Sequence, residues 1–307
     1  MKDFCPHNYQ QYCIDRIIRD PALGLFLDMG LGKTAITLTA IKRLKYEYWA
    51  VRKVLVIAPK KVAESTWDKE AAKWSHLSCL RLVHVLGSVG QRTAALAQTA
   101  DVYLINRENV QWLVGYYGHS WPFDMVVIDE SSSFKNHQAK RFKALKLVRS
   151  RINRIVELTG TPNPRSLMDL WAQVYLLDCG QRLGRTITSY RDAYFVPDKR
   201  SRTTIFSYAP KLGAADEIYR RISDICISMK SEDYLDLPEL IYEDIPVISG
   251  VAPGEGDGLF HYRIAGVDVL EGVDGPVSAD LVHGVDEVFL LLERDAEGPR
   301  HIVHGWA

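Results

Sequence analysis

The amino-acid sequence predicts an α/β protein: a parallel sheet flanked by helices. Three observations carry that expectation. Short apolar runs rich in β-branched residues alternate with longer segments of helical period over the first 246 residues. A Gly-rich turn falls directly after the first run and opens a helix, and two adjacent carboxylates close a later run. Composition agrees, because 307 residues that are 47% hydrophobic and 25% charged can bury one large core or two modest ones, which excludes disordered, collagen-like and coiled-coil classes.

The expected strands cover residues 22–27, 53–58, 81–86, 101–105, 124–128 and 154–158, and the expected helices residues 34–46, 63–74, 91–98, 138–148 and 167–177. In such a sheet ligands gather at the carboxyl ends of the strands, so the residues after each strand are where chemistry is sought. After the first strand comes Asp28-Met29-Gly30-Leu31-Gly32-Lys33-Thr34. Glycines there let backbone N–H groups turn inward around phosphate oxygens, the helix start adds partial positive charge, Lys33 reaches the outer phosphates, and Thr34 offers a hydroxyl to Mg²⁺. The general pattern G-x-x-x-x-G-K-[ST] would place glycine where Leu27 stands. After the fifth strand, Asp129 is placed to hold Mg²⁺ and Glu130 to orient and deprotonate a water. After the sixth, Thr159-Gly160-Thr161-Pro162 offers hydroxyls and a flexible glycine that can sense a terminal phosphate. Near the N-terminus, Gln10 of Pro6-His7-Asn8-Tyr9-Gln10 carries a donor and an acceptor suited to the edge of adenine.

Together these segments resemble the ATP-binding lobe of helicase superfamily two, specifically the SWI/SNF-type DNA translocases, and residues 223–230 and 236–238 look like the stretch that follows that lobe in phage and mobile-element members. Residues 28–34 are similar to that group's motif I, Pro6 to Gln10 to its Q motif, Val56-Ile57-Ala58-Pro59 with Trp67 to motif Ia, and Leu158 to Pro162 with Leu170-Trp171 to motif III. The resemblance runs from residue 4 to about 246, with a helical and basic extension from about 180. It implies a RecA-like P-loop lobe that uses ATP and Mg²⁺ and moves along double-stranded DNA. By it, Gln10, Met29, Gly30, Leu31, Gly32, Lys33 and Thr34 would hold ATP, Thr34 and Asp129 the metal, and Lys33, Asp129 and Glu130 the chemistry. Thr159, Gly160 and Thr161 would couple hydrolysis to motion. Pro59, Lys60, Asn106 and Arg107 stand where the family touches the DNA backbone.

Two departures follow from the comparison with the family's common Asp-Glu-Ala-His. Here the run is Asp129-Glu130-Ser131-Ser132, so Ser132 takes the place of the coupling histidine. A second RecA-like lobe, which the family uses to bring arginines to the γ-phosphate, is not recognisable after residue 246, so weak hydrolysis alone and a separate lobe-bearing partner are expected. An arginine finger is worth about 10³ to 10⁵ in rate in related phosphoryl-transfer enzymes.

The charge pattern is split. Residues 1–246 hold 35 basic and 27 acidic side chains, and residues 247–307 hold 3 and 11. No acidic residue occurs from Ser131 through Val156, a stretch with eight basic ones that include Lys135, Lys140 and Arg141. Phosphate contact is one reading of that run and a solvated helix face the other. The stretch from Arg182 to Arg202 reads the same way. Trp67, Trp74, Trp112 and Trp171 read as core or groove packing. Ten of 21 glycines lie in residues 247–307, a Gly/Asp-rich tail unlike the family. Residues 259–270 and 288–293 could form short strands, or the tail could be out-of-frame sequence.

Five scattered cysteines without a C-x-x-C pair, no apolar h-region and no apolar stretch of bilayer length lead to the expectation of a soluble cytoplasmic protein without a membrane partner. A non-catalytic nucleotide-regulated binding module and a small-molecule P-loop kinase are the competing readings.

Overall fold

The computed structural model describes residues 1–160, 167–198 and 207–234, and four strands within 259–304. They divide into two compact units, Met1–Leu237 and Pro238–Ala307. In the first unit the order is α1 (Asn8–Arg19), β1 (Ala22–Leu27), α2 (Lys33–Tyr46), β2 (Val54–Ala58), α3 (Trp67–Lys73), β3 (Leu82–His84), α4 (Val89–Leu96), β4 (Val102–Asn106), α5 (Val110–Tyr117) and β5 (Met125–Asp129). It continues with α6 (Lys140–Val148), β6 (Arg154–Thr159), α7 (Leu167–Asp178), α8 (Ile187–Tyr194), β7 (Phe195–Pro197), β8 (Tyr208–Pro210), α9 (Ala214–Ile222) and β9 (Cys226–Met229).

Seven strands form one sheet in the order β3-β4-β2-β5-β6-β1-β9, every neighbouring pair parallel. Parallel sheets need cover on both faces, which is why β2 is buried along its whole length. Alternation along the strands sorts the core into two layers. Leu23, Leu25, Leu27, Val54, Val56 and Val127 face one layer with Ile14, Ile17, Ile36 and Leu38 of α1 and α2. Phe26, Leu55, Ile57, Val126 and Ile128 face the other, with Leu113, Leu145, Trp171, Leu176 and Tyr190.

The six expected strands are present, and a seventh, β9, adds an edge beside β1. Four of the five expected helices begin or end within two residues of the expected bounds. The remaining one, over 63–74, divides into a π-helical turn Val62–Thr66 and the shorter α3. β6 separates β1 from β5, so the loop after β1 and the carboxylates after β5 lie on either side of the Thr159-Gly160 strand end.

In the second unit, β10 (Leu259–Ile264) pairs antiparallel with β11 (Val267–Gly272), and β12 (Phe289–Leu291) with β13 (Ile302–His304). Short strands there were one of the two readings of the tail. Among the described residues no helix is long and apolar enough to cross a membrane.

Candidate nucleotide site

The loop between β1 and α2 owes its shape to two glycines in the left-handed region, Gly30 at φ 83° and Gly32 at φ 76°. A side chain at Gly32 would also collide with its neighbour, since a Cβ there would stand 2.7 Å from Gln10 Nε2. Gln10 is buried against this loop. Its Oε1 accepts from the His7 backbone N–H at 3.0 Å, and its Nε2 donates to the Leu31 carbonyl at 3.4 Å. Lys33 curls back along the loop, its Nζ donating to the Leu27 and Asp28 carbonyls at 2.8 and 2.9 Å. Burial lowers the pKa of its ammonium, and the charges of Asp129, Glu130 and Asp28 oppose that shift. Met29 is 81% exposed. Gly160 packs against the loop, where a Cβ would lie 3.5 Å from the Met29 side chain and 3.8 Å from Lys33 Nζ. The strand end expected to sense the phosphates thus abuts the lysine expected to bind them.

At the end of β5, Asp129 accepts a hydrogen bond from the Trp67 indole N–H, Nε1 to Oδ2 3.0 Å. Burial pushes its carboxyl above the usual aspartate range; Glu130 adds to the shift, and the Trp67 bond and Lys33 reduce it. Glu130 has a left-handed backbone, φ 58° and ψ 62°, an uncommon conformation for a side chain of this kind. Its carboxylate is held by the Ser132 hydroxyl, which donates to Oε1 at 2.5 Å. The next residue anchors the turn from below: Ser131 is fully buried and donates to Gln173 Oε1 of α7 at 3.0 Å. Ser132 therefore contacts the catalytic candidate itself.

Beneath Ser131 lies Glu157 of β6, fully buried, with no hydrogen-bond partner for either carboxyl oxygen among the described residues. The Ser131 hydroxyl directs its proton to Gln173. Burial holds the Glu157 carboxyl well above the usual range, against a smaller pull from Ser131 and from the Arg149 charge. The folded lobe keeps this proton to a pH at which the unfolded chain has released it, so stability falls as pH rises between the two values, by about 1.4 kcal/mol per unit. Glu157→Gln has no such dependence. Its thermal midpoint is expected to gain on the parent's as pH is raised from about 5 to about 8, and to lose that advantage in acid. Unfolding scans across that range check this, and a constant difference would mean that Glu157 titrates as an exposed carboxylate does.

The positions expected to meet DNA lie at the same end of the sheet. Asn106 ends β4 and Arg107 follows it, and both donate to the carboxylate of Glu108, at 2.9 Å each. Arg107, Lys135, Glu130, Ser132 and Gln173 line one cleft of about 270 Å³ together with Asp169, and Lys135 pairs with Asp169 at 3.2 Å. Pro59 and Lys60 follow β2, with Lys60 Nζ 3.8 Å from Glu64. Lys140 is exposed at the start of α6, and Arg141 Nε donates to the Ser133 carbonyl at 2.8 Å. Trp67, Trp112 and Trp171 all pack against the core as expected, but for Trp67 packing is half of its role. Its partner Asp129 is 62 residues away, and only the β2–β5 adjacency brings the two together. Thr34 opens α2 beside Lys33. Thr161 lies outside the described residues, as does part of the stretch from Arg182 to Arg202.

The loop, the lysine and the carboxylate pair fit a nucleotide and a hard divalent cation. Positive-φ glycines leave the loop open for phosphate oxygens, and the Thr34 hydroxyl and the Asp129 carboxylate are oxygen donors of the kind Mg²⁺ prefers. Fold and site define a RecA-like P-loop lobe. A family model described as SNF2-related domain matches residues 17–205, and the chain belongs to that family. Putative protein p41 of Acyrthosiphon pisum secondary endosymbiont phage 1 is 38% identical over 253 residues, 80% of this chain and 55% of that protein. DNA excision repair protein ERCC-6-like of Homo sapiens is 30% identical over 197 residues, 61% of this chain and 15% of that protein. Among solved structures, the Sulfolobus solfataricus SWI2/SNF2 ATPase core in complex with dsDNA has a TM-score of 0.59 at 23% identity, over 75% of this chain and 47% of that one. The structural likeness shows the fold. The chain thus spans about half the length of the phage relative and of the Sulfolobus core.

Proposed function

We propose that this lobe binds ATP with Mg²⁺ and hydrolyses it in response to double-stranded DNA, as the nucleotide-binding half of a SWI/SNF-type translocase. The observation that supports this most is the convergence of Lys33, Asp129, Glu130 and Gly160 at neighbouring strand ends. Gln10 orients the loop and offers its amide to the base. Lys33 exchanges the Leu27 and Asp28 carbonyls for phosphate oxygens. Asp129 and Thr34 would hold the cation, which when bound neutralises charge on the phosphates. Glu130, fixed by Ser132, orients a water and takes its proton. Lys60, Arg107, Lys135, Lys140 and Arg141 are proposed to meet the DNA backbone, with no base-reading contacts and hence no sequence preference.

The test is ATP turnover by the purified chain with and without double-stranded DNA. DNA-stimulated turnover at about one per second or faster is expected when the second lobe's arginines are supplied, whether by a further part of the protein or by a partner chain. Binding without turnover under those conditions would favour a nucleotide-regulated binding module. Transfer of phosphate to a metabolite without DNA would favour a kinase.

A further inference from the structure

We propose that Trp67 is a positioning residue for the cation, its indole N–H fixing one oxygen of Asp129 so that the other is presented toward the nucleotide loop. The inference rests on the reading of Asp129 as a cation ligand. Trp67 is fully buried, and a buried indole N–H needs an acceptor; the one it has is Asp129 Oδ2, at 3.0 Å.

The local backbone is built to aim it. A π-helical turn, Val62–Thr66, precedes α3 and turns the start of that helix relative to a continuous α-helix. His84 of β3 clamps this turn from the side, with Nδ1 2.8 Å from the Ala63 carbonyl and Nε2 2.5 Å from Asp68 Oδ2. Trp67 itself is held on the layer formed with Leu77, Val56 and Val127. Partners that orient a metal-binding side chain typically contribute about 10- to 100-fold in metal affinity.

Replacing Trp67 with β-(3-benzothienyl)alanine swaps the N–H for sulfur and keeps the shape, while Trp67→Phe removes both donor and bulk. ATP binding to the full chain is measured by calorimetry with and without Mg²⁺. The Mg²⁺-dependent gain in affinity is expected to fall about tenfold in both variants, with Mg²⁺-free binding unchanged. Leu77→Ala, a packing change in the same layer, should lower the melting temperature and leave that gain intact. An unchanged gain in the benzothienyl variant, or an equal loss with and without Mg²⁺, would overturn the proposal. The parent chain separates this from the parent reading: if it does not bind ATP, the nucleotide site itself is wrong, whereas binding with an undisturbed gain removes only the role of Trp67.

Discussion

Glu130→Gln is expected to bind ATP as the parent does and to lose about 10²- to 10⁴-fold in hydrolysis, the usual contribution of a general base. The substitution preserves shape. The amide oxygen can still accept from Ser132, and the left-handed turn stays pinned by the buried bond of Ser131 to Gln173. What disappears is the ability to take a proton from water. Calorimetry and a phosphate-release assay on the same preparation separate the two effects, and undiminished turnover would assign the base to another residue.

Lys33→Ala is expected to have the opposite profile, losing ATP affinity by about 100-fold or more because charge-assisted contacts to phosphate are removed. In the structure the ammonium's bonds go to the carbonyls of Leu27, at the end of β1, and Asp28, in the adjoining loop, so it ties no separate element of the fold to the site. A melting temperature close to the parent's should accompany the lost binding. Equal ATP affinity in this variant would refute the site.

Much of this was legible in the sequence, for physical reasons. Strands buried on both faces are apolar over nearly their whole length, so residues 54–58 and 125–128 announce themselves, and the residues at their ends carry the chemistry. β9 was not legible as a strand: it has four residues, and Ser228 on its outer register interrupts the apolar run. α5 holds Gly115 and a cluster of aromatics, which obscures helical period. The partner choices within the site were also hidden. Nothing local to Trp67 or Glu157 says that the first faces Asp129 or that the second is fully enclosed; the adjacency of β2, β5 and β6 decides both, whereas Ser132 meets Glu130 within their own turn.

The nucleotide loop is also stitched to the rim of the sheet. The Asp28 backbone N–H donates to the Met229 carbonyl at 3.1 Å, and the Asp28 carboxylate accepts from the Ser231 N–H at 3.0 Å, just where the chain leaves β9. A rim strand, bonded on one side only, is the part of a sheet that peels most readily. Here peeling from the Met229 end pulls on the loop that leads to Lys33. A pull on the chain at Ser231 is carried through Asp28 into the loop between β1 and α2, so this seam acts as a strain gauge beside Lys33.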